Sequence, residues 1–221
     1  MHPTITEAEI FYPCEDEESL AETREHLLAI VHILSVLSLY LKGRAIVFSH
    51  QFFYPVKGNP DTRVTPDIMV VFGIPEKEYP NYKLWEGNKP SLVLEVTSES
   101  TIQRDWGIKR EIYSEVGIDE YWLFDPYGEW IPQQLQGYRL NQGGAYQPIV
   151  DNISTVLQLR LVVEGHFVHF YRLDNNQKLL TMEELQLALE QYKAQADAAT
   201  RRARRLEEIL RQLGYRDVID E

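Results

Sequence analysis

Apolar positions at helical spacing open the chain's readable part. Leu20, Leu27, Ile30, Val31, Leu34, Leu37 and Leu41 follow an acidic start at Glu15 to Glu18 and predict a long helix through Lys42. Gly43 is placed to end it. Residues 44–55 are rich in β-branched and aromatic side chains and read as a strand. A turn follows at 57–63, and residues 66–73 form the next strand, with Pro66 at its start. Residues 74–90 carry three prolines and Trp85 and read as a long loop of the kind that covers or binds. Residues 91–97 are apolar except for Glu95, the pattern of a central strand covered on both faces. A helix is predicted over 98–116, with Ile108, Ile112 and Val116 on its inner face and Gly117 at its end. A strand over 119–125 comes next, with Tyr121 and Trp122 as core residues.

The order strand, helix, strand over 91–125 implies a crossover connection and a mixed sheet. Past Pro126 the pattern becomes hairpins: 137–140 with 145–150, and 156–163 with 167–172. The fold class is therefore α/β, an α+β type mixed sheet flanked by helices. Three parts are expected: a lead-in over 1–16, a main domain over 17–175 and a C-terminal helix over 180–221. That helix opens on a capping box, Thr181 with Glu184. Leu185, Leu189, Tyr192, Ala196, Ala199, Ala203, Leu206, Leu210 and Leu213 then alternate by four and three, a coiled-coil seam closed by Gly214. Its partner is either the chain's own body or the same helix in a second copy, and a seam only two positions wide per heptad favours the second. Arg201, Arg202, Arg204 and Arg205 flank the seam, either as a solvated face or as a stripe for phosphates.

Composition narrows the classes. A formal charge of −12 argues against a broad basic surface for nucleic acid but leaves room for a local groove. The single cysteine, Cys14, excludes an intrachain disulfide and a cysteine-built zinc site. The apolar run over 27–41 contains His32 and is too short to span a bilayer. The first residues lack the pattern of a secretory signal. A cytoplasmic protein without a membrane partner is expected.

Two acids stand out. Asp67 follows Pro66 at a strand start, and Glu95 interrupts an apolar strand. A buried carboxylate is costly unless it is paired. If the two strands are neighbours, Asp67, Glu95 and the Val96 carbonyl supply oxygens that suit Mg2+ or Mn2+. Lys109 then has two readings. It could orient or help deprotonate an attacking water and steady a phosphate, or it could form a surface ion pair with Asp105, one helical turn earlier. Asp67 could equally cap backbone amides, and Glu95 could pair with a basic side chain. Trp85 is either a base-stacking residue or a loop aromatic folded onto the core. His26, His32, His50, His166 and His169 show no metal-binding spacing, and the last two are expected on the surface of the final hairpin.

Taken in order, Pro66-Asp67, Glu95-Val96-Thr97 with Ser98, and the run Lys109, Tyr113, Gly117, Tyr121-Trp122 resemble the bacterial putative restriction endonuclease domain family of the PD-(D/E)XK nuclease superfamily. The resemblance covers about residues 15 to 175. It implies a restriction-endonuclease-like core and a magnesium-dependent phosphodiesterase site. In that superfamily the lysine usually follows the Glu by two residues, where this chain has Thr97. The family resemblance moves that role to Lys109 on the following helix. An acid from the first helix often joins such sites, and Glu18, Glu22 and Glu25 are the candidates. Two functions follow: a metal-dependent endonuclease acting on DNA as a homodimer, or an inactive nuclease-like protein that binds nucleic acid or scaffolds through its coiled coil.

Overall fold

Among the described residues, six strands line up side by side in chain order and form the sheet that carries both candidate acids. The structure is a computed structural model, and it describes residues 10–13 and 23–213. The expected lead-in apart from 10–13, the acidic helix start, Leu20, Cys14, Glu18, Glu22 and Gly214 lie outside the described residues. The strands of this sheet are β1 (Ala45–Phe48), β3 (Ile68–Phe72), β5 (Leu92–Val96), β6 (Glu120–Phe124), β7 (Leu135–Leu140) and β8 (Tyr146–Ile149). Only β5 and β6 run parallel within it. The crossover between them is α2 (Ile102–Arg104), a π-helical turn (Asp105–Lys109) and α3 (Arg110–Val116). Gly117 ends α3 at φ +83°, and its N–H returns to Tyr113 and Ser114 carbonyls, a left-handed cap that glycine adopts without strain.

Alternation along the strands builds two cores. Ile68, Val70, Leu92, Leu94, Val96 and Trp122 face one side, with α1 (Arg24–Tyr40) and the sheet β11-β10-β9. That smaller sheet is made of β9 (Ile153–Ser154), β10 (Leu159–Glu164) and β11 (Phe167–Arg172). Met69, Val71, Val93, Tyr113, Tyr121 and Leu123 face the other side. Trp122 and Tyr121 are both fully buried, on opposite faces, as their strand predicts.

The structure revises several expectations. The 44–55 segment is not one strand. It breaks after Phe48, turns through His50 at φ +50°, and resumes as β2 (Phe53–Tyr54), which pairs in parallel with β4 (Tyr82–Lys83). The 74–90 segment is tied down at several points. Gln51 donates to the Tyr79 and Pro80 carbonyls, Asn88 donates to Phe72, and Trp85 packs 5.2 Å from the Tyr12 ring. The expected face of α1 is met in part: Ile30, Leu37 and Leu41 are buried as predicted, but Leu27 and Val31 are half exposed, and His26, Ala29 and Ile33 are buried in addition. The helix is apolar nearly all round and is covered from two sides. Its outer flank meets the β10–β11 hairpin, where His32 contacts the Val168 carbonyl at 3.0 Å. Periodicity alone could not set the helix's rotation. His169 is not a surface residue of the hairpin either, since its ring packs 5.0 Å from His32.

The chain divides into two compact units, Met1–Leu179 and Leu180–Glu221. In the second, α4 (Met182–Gln212) opens on the predicted capping box, and none of its described residues is buried. No described helix is long and apolar enough to cross a membrane.

Packing across β6 and β7 is tight at one point. Trp122 lies opposite Gly137, and a Cβ built at 137 would meet the indole at 2.5 to 2.7 Å. Gly137→Ala is therefore expected to destabilise the protein by about 1–3 kcal/mol. A urea titration checks this, and an unchanged midpoint would show that the sheet can yield there.

Candidate active site

The site begins with register. In the antiparallel pair β3–β5, Ile68 lies opposite Leu94. One step further, Asp67 lies opposite Glu95, and both side chains share the face of Met69 and Val93. Each acid grips the other's strand. The Asp67 N–H donates to Glu95 Oε2 at 3.1 Å, and the Val96 N–H donates to Asp67 Oδ2 at 2.7 Å. Pro66 removes one competing donor just before this clasp.

The crossover helix supplies the rest. Lys109 Nζ sits 2.9 Å from Glu95 Oε2 and 3.0 Å from Asp105 Oδ1. Tyr113 OH donates to Glu95 Oε1 at 2.6 Å. Glu95, Asp105, Lys109 and Tyr113 are all buried. The helix face turned to the sheet is thus Asp105, Lys109 and Tyr113. Ile108, expected inward, is 63 % exposed, and Ile112 and Val116 are only partly buried. The π-helical turn spans both charged residues of this face, a distortion that recurs at functional sites. The Asp105–Lys109 ion pair does form, but it is buried and shared with Glu95 rather than lying on the surface.

Burial sets the protonation of the cluster. It pulls the Lys109 ammonium down, but the charges of Glu95, Asp105 and Asp67 outweigh that and hold its pKa above the ordinary lysine value. Lys109 is therefore held as an ammonium by the acids around it. Burial raises the Glu95 carboxyl, with Lys109 opposing and Asp67 adding to the rise. Asp105 is raised by burial and by Glu95. Tyr113 is pushed well above the ordinary tyrosine range by burial and by Glu95, so it remains a neutral donor.

Two histidines complete the surroundings. His26, on the buried face of α1, places Nε2 2.5 Å from the Val96 carbonyl and 3.8 Å from Asp67 Oδ2. A carbonyl can only accept, so this nitrogen carries the hydrogen. His50, carried in by the left-handed bend, lies 3.5 Å from Asp67 Oδ1. Sequence spacing gave no sign of either, because both arrive through tertiary packing. Glu25 pairs with Arg24 at 3.8 Å and reaches Tyr127. Among the described residues, the first-helix side chain that approaches the site is His26, not an acid.

Among the described residues, no three His, Cys, Asp or Glu side chains form a ready-made metal cage. The donor chemistry nonetheless fits a hard divalent cation. Asp67, Glu95 and the Val96 carbonyl offer oxygens, and three buried carboxylates (Asp67, Glu95, Asp105) face one buried ammonium.

The ion network has a measurable signature. Lys109→Met leaves buried negative charge uncompensated, at a cost of about 3–5 kcal/mol. The folded variant then binds protons more tightly than the unfolded chain, so stability returns as pH falls. Urea titrations near pH 8 and near pH 5 should show a larger deficit at the higher pH. An equal deficit at both would contradict a buried carboxylate cluster.

A family model described as "Putative restriction endonuclease" (Uma2) matches residues 17–183. No curated protein matches the chain in sequence. A crystal structure described as a putative nuclease belonging to DUF820 from Anabaena variabilis ATCC 29413 aligns at a TM-score of 0.45 and 18% identity. The alignment covers 65% of this chain and 73% of that one, and the likeness is too distant to bear on the site. The family match spans most of the chain, from ahead of α1 through β11, and the chain belongs to the putative restriction endonuclease family.

Proposed function

We propose that this protein is a metal-dependent endonuclease that hydrolyses DNA phosphodiester bonds. The observation that carries the reading is the meeting of Asp67, Glu95 and Lys109, from two neighbouring strands and a crossover helix, with carboxylates in excess. Family membership supports the reaction class. Asp67, Glu95 and the Val96 carbonyl would hold Mg2+, or Mn2+ in its place. When bound, such an ion supplies positive charge toward phosphate and a more acidic water. The chain's own groups do the positioning. Tyr113 and the Asp67 N–H fix both oxygens of Glu95, and the Val96 N–H fixes Asp67. Lys109, held as an ammonium, orients the attacking water and offsets charge building on the phosphate.

Self-association is part of the same reading. The apolar seam residues Leu185, Leu189, Tyr192, Leu206, Leu210 and Leu213 are 37 to 70 % exposed along α4. A narrow heptad seam of this kind suits a second copy of the helix. The protein is then a homodimer.

Two measurements check these statements. Wild-type protein with Mg2+ or Mn2+ should nick plasmid DNA, a chelator should stop it, and Asp67→Asn should slow it at least about a hundredfold. Equal cleavage by wild type and variant, or none under any metal and salt condition, would leave the inactive, nucleic-acid-binding or scaffolding alternative. In sedimentation, a chain ending at Leu180 should be monomeric while the full chain is dimeric; a truncated chain that stays dimeric contradicts the seam.

A further inference from the structure

Lys109 serves two carboxylates that are not equally provided for. Glu95 receives three donors: Lys109, the Asp67 N–H and the Tyr113 hydroxyl. Asp105 has less. Among the described residues, the Thr101 hydroxyl alone approaches it beyond Lys109, and neither carboxylate oxygen receives a hydrogen bond of good geometry. Its side chain is 1 % exposed. Burying a carboxylate with so little support is costly. The carboxylate is not what ties the helix to the sheet at this point either. That contact is made by the Asp105 backbone carbonyl, which accepts from Tyr121 OH at 2.8 Å.

Glu95 Oε2 is also the oxygen that the metal reading needs, and an ammonium already stands 2.9 Å from it. Two cations at one oxygen repel each other, so each weakens the other's hold on it. We propose that Asp105 is a positioning residue that receives Lys109 when Glu95 takes up a divalent cation. Metal binding is then an exchange at Glu95, with Lys109 as the resident countercharge and Asp105 as the place it moves onto. The π-helical turn holds Asp105 and Lys109 together on the inner face, so the exchange needs only a side-chain shift. The inference rests on the metal reading of Asp67 and Glu95. It adds a coupling, because whatever strengthens the Lys109–Glu95 pair weakens the metal by the same factor.

Calorimetric titration of Mn2+ into the full chain tests this without relying on activity. Asp105→Asn leaves Lys109 with Glu95 as its remaining ionic partner within 4 Å and should weaken Mn2+ binding roughly tenfold. The double variant D105N/K109M loses one charge of each sign, so its net charge matches wild type. It should bind Mn2+ more tightly than wild type, because the competitor is gone. In the full cycle, D105N should have much less effect once Lys109 is replaced. Circular dichroism and melting verify the folds. Should Lys109→Met alone fail to fold, the comparison of the double variant with wild type still decides. The proposal is overturned if the double variant binds like wild type, or if D105N weakens binding equally with and without Lys109. Absence of Mn2+ binding in every protein overturns the metal reading and this inference together; binding by wild type with D105N unchanged overturns this inference alone.

Discussion

A fully buried glutamate in the middle of a sheet is the constraint on which the rest depends. Glu95 sits in β5, between β3 and β6, with no exposed surface. A charge in that position is unfavourable by several kcal/mol unless neighbours compensate it. Each nearby element is arranged to do so. Strand β3 brings the Asp67 N–H, and the crossover helix brings Lys109 and Tyr113. The apolar neighbours Val93, Tyr121 and Leu123 keep water from this face, which strengthens every one of these contacts.

Compensation goes only part of the way. Asp67 and Asp105 add negative charge beside Glu95, facing one buried ammonium and, at Asp67, the imidazoles of His26 and His50. A purely structural ion pair would need one acid. Retaining three in a buried cluster leaves a deficit of positive charge on the side where strand ends and helix meet. Glu95 does pair with a basic side chain, Lys109, and the further acids beside that buried pair are the physical reason for proposing a cation there as well.

The two acids were legible in the sequence because each breaks a one-dimensional pattern: Asp67 after Pro66 at a strand edge, Glu95 within an apolar run. The strand, helix, strand order also implied the mixed sheet and crossover that the structure shows. What the pattern could not supply was pairing. Only the β3–β5 register puts Asp67 opposite Glu95. Hydrophobic periodicity misjudged parts of two helix faces for different reasons. Helix α1 is apolar all round and covered twice, so its rotation was undetermined and His26 went unnoticed. The crossover helix turns a polar face inward, which a search for apolar stripes passes over in favour of Ile108. His50 reaches Asp67 only because the chain bends at a left-handed residue inside what reads as one strand.

The most direct measurement is a crystal structure of the protein soaked in Mn2+, with anomalous scattering used to locate the ion. The account predicts one peak within ligand distance of the Asp67 and Glu95 carboxylates and the Val96 carbonyl, with Lys109 drawn off Glu95 onto Asp105. A crystal that takes up no manganese between these two acids, with Lys109 still shared by Glu95 and Asp105, would contradict it.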